Sequence, residues 1–163
     1  MATTFGPALA NDLAVPAVVN SKTAVRLISV AETVSVPVLA LNDLVIFGTK
    51  IPVEAKVHAI KIASTDLGTT GTLSYGFYKI VDGAAVLVSG AAAIAANLDV
   101  KTAAVALTDR RTSVLSHTTM DSPAFTLAGL SARPAYEHLY IGAKATEATD
   151  ATGSLTLVVE HTV

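Results

Sequence analysis

Leu73-Ser-Tyr-Gly-Phe-Tyr-Lys-Ile-Val-Asp-Gly-Ala-Ala-Val-Leu-Val88 holds two strand patterns around one turn. Leu73, Tyr75 and Phe77 alternate with Ser74, Gly76 and Tyr78, the period of a strand whose two faces differ. Asp82-Gly83 separates residues 77–81 from 84–88, and a two-residue type I′ turn needs positive φ at both of its central positions, which Asp-Gly tolerates. The stretch reads as an antiparallel hairpin and sets an all-β expectation for the chain.

Working outward, the period recurs. Val34, Val36 and Val38 alternate with Thr33, Ser35 and Pro37; Leu139 and Ile141 share one parity; Leu155, Leu157 and Val159 oppose Thr156 and Glu160. Residues 57–62 alternate poorly, because Ile60 and Ile62 share a side with His58, and read as a strand buried on both faces. Asp66-Leu-Gly-Thr-Thr-Gly71 and residues 146–153 supply polar connections. Short strands spaced by such turns point to an antiparallel sandwich or barrel, with Pro37 on an edge strand. One segment departs from the pattern. Ser89-Gly-Ala-Ala-Ala-Ile-Ala-Ala-Asn97 combines helix formers with a serine suited to an N-cap and an asparagine suited to a left-handed end, and predicts one short helix. Residues 109–123, rich in Thr and Ser, read as a long loop with one edge strand.

Residues 1–23 follow neither period and contain Gly6, Pro7 and Pro16, so they read as an extended N-terminal arm ahead of a β domain over 24–163. Leu9, Leu13, Val15, Val18 and Val19 make this arm too apolar for a solvated tail, and place it against its own domain or a neighbour.

Composition narrows the function. Among 163 residues, 11 are basic and 13 acidic, a net charge of −2 with no basic patch beyond Arg110-Arg111, which leaves no electrostatic footprint for nucleic acid. Hydrophobic residues reach 52% and charged ones 15%, with a mean hydropathy of +0.57, so the chain is too apolar for disorder. The longest uncharged run, 83–98, is mostly alanine and broken by Ser89, Gly90 and Asn97, unlike the roughly 20 apolar residues of a membrane span. The start of the chain has no basic residue ahead of an apolar stretch, so a soluble protein made in the cytoplasm is expected. The absence of cysteine excludes a disulfide framework, a thiolate zinc site and a cysteine nucleophile.

No catalytic motif stands out. There is no Gly-x-Ser-x-Gly elbow, phosphate-binding loop or dinucleotide fingerprint, so no catalytic residue and no cofactor are assigned. His58, His117, His138 and His161 show no metal-ligand spacing, and Glu137-His138 and Glu160-His161 lie on strands, where neighbours point to opposite faces. Glu147 and Asp150 lack the repeated acidic spacing of a calcium loop. Tyr136, His138 and Tyr140 share strand parity and form the best aromatic candidate for a glycan platform, but packing in a core or interface is the better reading of them. Arg110 and Arg111 could meet an acidic partner surface or line a solvated turn. What remains is a structural β protein: surfaces of Ala, Val and Thr suit repeated protein contacts better than a deep pocket.

The segment Lys50-Ile-Pro-Val-Glu-Ala-Lys-Val-His-Ala-Ile-Lys-Ile-Ala-Ser-Thr-Asp-Leu-Gly-Thr-Thr-Gly-Thr-Leu-Ser-Tyr-Gly76 resembles small virion proteins of tailed bacteriophages, in which a Pro-containing turn and a strand precede Asp-x-Leu-Gly, a Thr-rich turn and a second strand. The Ala-rich insertion at 91–96 and the closing Ala151-Thr-Gly-Ser-Leu-Thr-Leu-Val-Val-Glu160 extend the similarity. The resemblance implies a capsid decoration (cement) protein or head-fibre base. With it come a β-sandwich of jelly-roll type, a homotrimer, and a place on the capsid surface of a virion assembled in the bacterial cytoplasm. The implied partner is the major capsid protein, whose adjacent subunits it would clamp; Leu9, Leu13 and Val15 are the candidate contacts, with Arg110 and Arg111 beside them. A neck or tail protein and a carbohydrate-binding β module are the alternatives. A complete fibre would need more chain or a repeat.

Overall fold

The computed structural model describes residues 3–5, 26–88, 94–101, 103–109 and 122–163. Along the chain run β1 (Thr3–Phe5), β2 (Leu27–Val36), β3 (Leu44–Ile46), β4 (Ile51–Pro52), β5 (Lys56–Ser64), β6 (Thr72–Val81), β7 (Ala84–Leu87), β8 (Ala95–Asp99), β9 (Val105–Asp109), α1 (Ala124–Leu127), β10 (His138–Glu147) and β11 (Gly153–Thr162). Among the described residues they form two sheets. The larger runs β1-β3-β10-β6-β7, with β4 also on β10 and β8 also on β6; the smaller runs β2-β11-β5-β9. Every pairing is antiparallel except β1 on β3, which is parallel. Among the described residues the protein is all-β with one short helix.

Period-two patterning puts one face of each sheet on a common core. Val34, Ile62, Leu155 and Leu157 from the smaller sheet join Val45, Tyr75, Phe77 and Ile141 from the larger in one buried cluster. The hairpin forms as read: Asp82 (φ 50°) and Gly83 (φ 77°) both occupy the left-handed region, and Val81 pairs with Ala84 across them. β2 is an edge strand that ends one residue before Pro37, whose missing N–H stops the ladder; Val38 is therefore outside the strand and half exposed.

Two readings change. The poor alternation of residues 57–62 comes from a bulge: Glu160 pairs with Ala59 and His161 with Val57, so His58 is an extra residue that shifts the phase and lets both Val57 and Ile60 face the core. The helix expected over 89–97 is not found where the structure describes it. Ile94 N–H bonds to Tyr75 C=O at 2.7 Å, and Ala95 begins a strand on β6, so sheet pairing overrides the helix propensity of alanine. Asn97 does adopt the left-handed region (φ 49°), but inside the irregular β8–β6 ladder, with its N–H on Ser74 Oγ at 3.0 Å. Residues 89–93 lie outside the described residues. Among the described residues the one helix, α1, instead follows residues 109–123, of which Asp109 ends the edge strand β9 and residues 110–121 lie outside the described residues.

Glu32 was not singled out by the sequence reading. It shares parity with Val30, Val34 and Val36 and so lies on the core side of β2, 1% exposed. Its carboxylate accepts bonds from Gly48 N–H (2.8 Å), Thr49 N–H (2.8 Å) and Thr49 Oγ1–H (2.9 Å), tying the segment after β3 of the larger sheet to the edge strand of the smaller. A buried carboxylate is tolerated there because its lone pairs are met by hydrogen bonds.

Candidate interaction surface

The candidate contacts Leu9, Leu13, Val15, Arg110 and Arg111, together with His117, lie outside the described residues. The remaining sequence candidates are placed and fall into three groups.

The first group is ionisable. His58 and His161 meet at one end of the smaller sheet: His58 Nε2 lies 3.0 Å from Thr162 Oγ1, while His161 turns inward, 3% exposed, with its Nδ1 unpartnered among the described residues. Burial, and secondarily the nearby His58, hold the His161 imidazole below its ordinary pKa. Glu147 pairs with Lys101 at 2.9 Å, and Asp150 is occupied by hydrogen bonds described below, so neither carboxylate joins the other in a cation site. Among the described residues no group of three His, Cys, Asp or Glu side chains is placed to hold a metal ion.

The second group is the pair of polar connections. Asp150 accepts bonds from Thr69 Oγ1–H, from Thr69 N–H at 2.7 Å and from Thr70 N–H at 3.3 Å. The Thr69 hydroxyl is the main cause that keeps this carboxyl below its usual pKa. Ala151 N–H bonds to Leu67 C=O at 3.1 Å, and Leu67 is fully buried beneath. Gly68 sits at φ 107°, and a Cβ there would fall 1.7 Å from Asp150 Oδ1. Asp66-Leu-Gly-Thr-Thr-Gly71 and the Asp150–Gly153 segment are therefore one interlocked structure at one end of the sandwich.

The third group is apolar. Tyr136 and Tyr140 do not form one platform: Tyr136 packs against the main core, under Lys79 Nζ at 5.4 Å from its ring centroid, whereas Tyr140 packs against a second cluster on the opposite, outer face of the larger sheet. Burial raises the Tyr136 phenol. The second cluster comprises Leu44, Ile46 and Tyr78, all buried, with Ile80, Ala85 and Tyr140 partly buried around them. Gly142 makes it possible: Gly142 lies opposite Gly76, and a Cβ on Gly142 would stand 2.6 Å from Ile46 Cδ1 and 2.8 Å from the Tyr78 ring, so the ring lies on bare backbone. Burial raises the Tyr78 phenol as well. Leu87, 53% exposed, and Lys144 continue this surface around a cleft of about 140 Å³ lined also by Leu44, Tyr78 and Ala85. The outer cluster was legible only in part: Tyr78 shares the parity of Ser74 and Gly76, opposite to the core residues Leu73, Tyr75 and Phe77.

No described helix is long and apolar enough to cross a membrane. No family model matches the chain, and neither curated proteins nor solved structures give a match. Fold and site together define an all-β protein whose distinctive features are an interlocked loop end and an apolar outer sheet face.

Proposed function

We propose that the chain is a structural virion protein that binds the outside of a bacteriophage capsid and clamps adjacent subunits of the major capsid protein. The observation that carries the reading is the outer face of the larger sheet, where Leu44, Ile46 and Tyr78 form a buried second cluster and the half-exposed Leu87, with the partly buried Ile80, Ala85 and Tyr140, leaves apolar surface at positions that face water in an ordinary antiparallel sandwich. Such a face suits a protein whose work is burial. Each 100 Å² of apolar surface removed from water contributes on the order of 2.5 kcal/mol before association costs.

The strand order supports a jelly roll. Counting β2, β3, β5, β6, β7, β9, β10 and β11 as the eight main strands, one sheet holds the first, eighth, third and sixth and the other the second, seventh, fourth and fifth. That interleaving is the double Greek key of jelly rolls. The interlocked Asp66–Gly71 and Asp150–Gly153 segments give the resembling stretches a common structural purpose. In this reading the protein is a trimer, and Leu9, Leu13 and Val15 join the capsid contact.

The test is co-sedimentation of the purified chain with expanded empty shells, with its absolute mass measured by light scattering. A trimer that pellets with shells, and that loses occupancy on deletion of residues 1–20, agrees with the proposal. A monomer that stays in the supernatant, or full occupancy without the arm, contradicts it in whole or in its arm component respectively.

A further inference from the structure

Among the described residues the edge of the larger sheet at β7 is open. The turn pairs Val81 with Ala84 and Lys79 with Val86, and Val88 N–H bonds to Phe77 C=O at 3.0 Å. In an antiparallel ladder such bonding alternates from residue to residue, so Ala84, Val86 and Val88 direct their main-chain groups to β6 while Ala85 and Leu87 direct theirs outward. Among the described residues no strand lies beyond them, since β8 pairs with β6 only from Thr72 to Tyr75. Sheet edges are ordinarily guarded by charge, proline or a bulge. Ala84-Ala85-Val86-Leu87 has none of these, and Val86 and Leu87 are 40% and 53% exposed.

A cleft flanks this edge on each face of the sheet. On the core side, Lys79, Val86, Val88, Leu130, Pro134 and Tyr136 line a cleft of about 300 Å³. On the outer side lies the smaller cleft of Leu44, Tyr78, Ala85, Leu87 and Lys144. Each cleft is apolar with one lysine at its wall, and among the described residues neither Lys79 nor Lys144 pairs with a carboxylate.

We propose that β7 is a strand-addition site for an extended segment of another protein, one that alternates apolar side chains and carries carboxylates. Ala85 and Leu87 supply the main-chain bonds. Alternate side chains of the added strand enter the two clefts, because successive residues point to opposite faces. Lys79 and Lys144 receive the carboxylates. Ala84–Leu87 itself carries no carboxylate, so the two lysines favour an acidic partner over a second copy of this edge. The proposal does not rest on the virion reading, and its test uses no shells.

The test is fluorescence anisotropy of the full chain with a labelled short peptide that alternates valine with threonine and glutamate. Expected are saturable binding, a loss of about tenfold or more when lysine replaces glutamate, and a similar loss with Leu87→Pro, which removes an outward N–H while leaving the hairpin bonds in place. A peptide N-methylated at alternate residues along one edge should also fail, and this arm decides the matter if Leu87→Pro does not fold. Absence of saturable binding, equal binding of the N-methylated peptide, or a chain that is already a dimer through this edge and becomes monomeric on Leu87→Pro would each overturn the proposal.

Discussion

The two sheets share one core but treat their outer faces in opposite ways. On the smaller sheet, Ala31, Thr33 and Ser35 of β2 are exposed, Thr33 and Thr156 hydroxyls meet at 2.9 Å across the strands, and Lys61 pairs with Glu160 at 2.6 Å. That is the polar solvent face expected of an antiparallel sheet. On the larger sheet the corresponding positions hold Leu44, Ile46, Tyr78 and Tyr140 packed over Gly142. Strand period alone cannot produce this difference, because both sheets alternate. It arises from what occupies the second parity.

The contrast is broken most sharply by truncating one outer residue on each sheet. Tyr78→Ala should cost about 3 kcal/mol, as loss of a buried aromatic does, whereas Val158→Ala on the smaller sheet should cost about 1 kcal/mol or less; chemical denaturation of both variants checks this. Equal costs would mean that the outer cluster is no second core. Next in size, Gly142→Ala should destabilise by about 1–3 kcal/mol, because the new methyl meets Ile46 and the Tyr78 ring and both must move.

The smaller sheet responds instead to pH. His161 titrates below its ordinary 6.5 in the folded chain, so the unfolded chain binds more protons as pH falls through that value. Its contribution is fully present above pH 6.5 and is lost progressively below it, toward the folded pKa. The melting temperature should therefore fall between pH 7 and pH 5, and His161→Leu should flatten that slope. Smallest of all is Lys61→Ala. Its ion pair with Glu160 is about one-third exposed on each side, so its loss should change stability by about 0.5 kcal/mol, and less at high salt.

Much of the fold was legible because it depends on local chemistry. Asp82-Gly83 fixed the hairpin, and Leu155, Leu157 and Val159 fixed the parity of β11. The alanine-rich stretch misled because alanine favours helix by default, while the ladder to β6 that claims Ala95 is a long-range pairing invisible in the window. The bulge at His58 looked like two-sided burial because a one-residue phase shift and a doubly buried strand give the same local pattern. The buried Glu32 could have been found, since an acidic residue in register with Val30, Val34 and Val36 must either break the strand or meet donors inside. Tyr136 and Tyr140 both pack, as the better reading has it, but not on one shared face: parity holds only within a strand, and Tyr136 precedes the start of β10 at His138.

The central proposal is that the outer side of the larger sheet is the working surface. Hydrogen–deuterium exchange of the full chain, alone and on expanded shells, tests it directly. The account predicts new protection on the shell in β3, in the second half of β6, in β7 and in the middle of β10, with β2 and β9 unchanged. Protection confined to β2, β9 and β5, with the larger sheet exchanging as in the free chain, would contradict it.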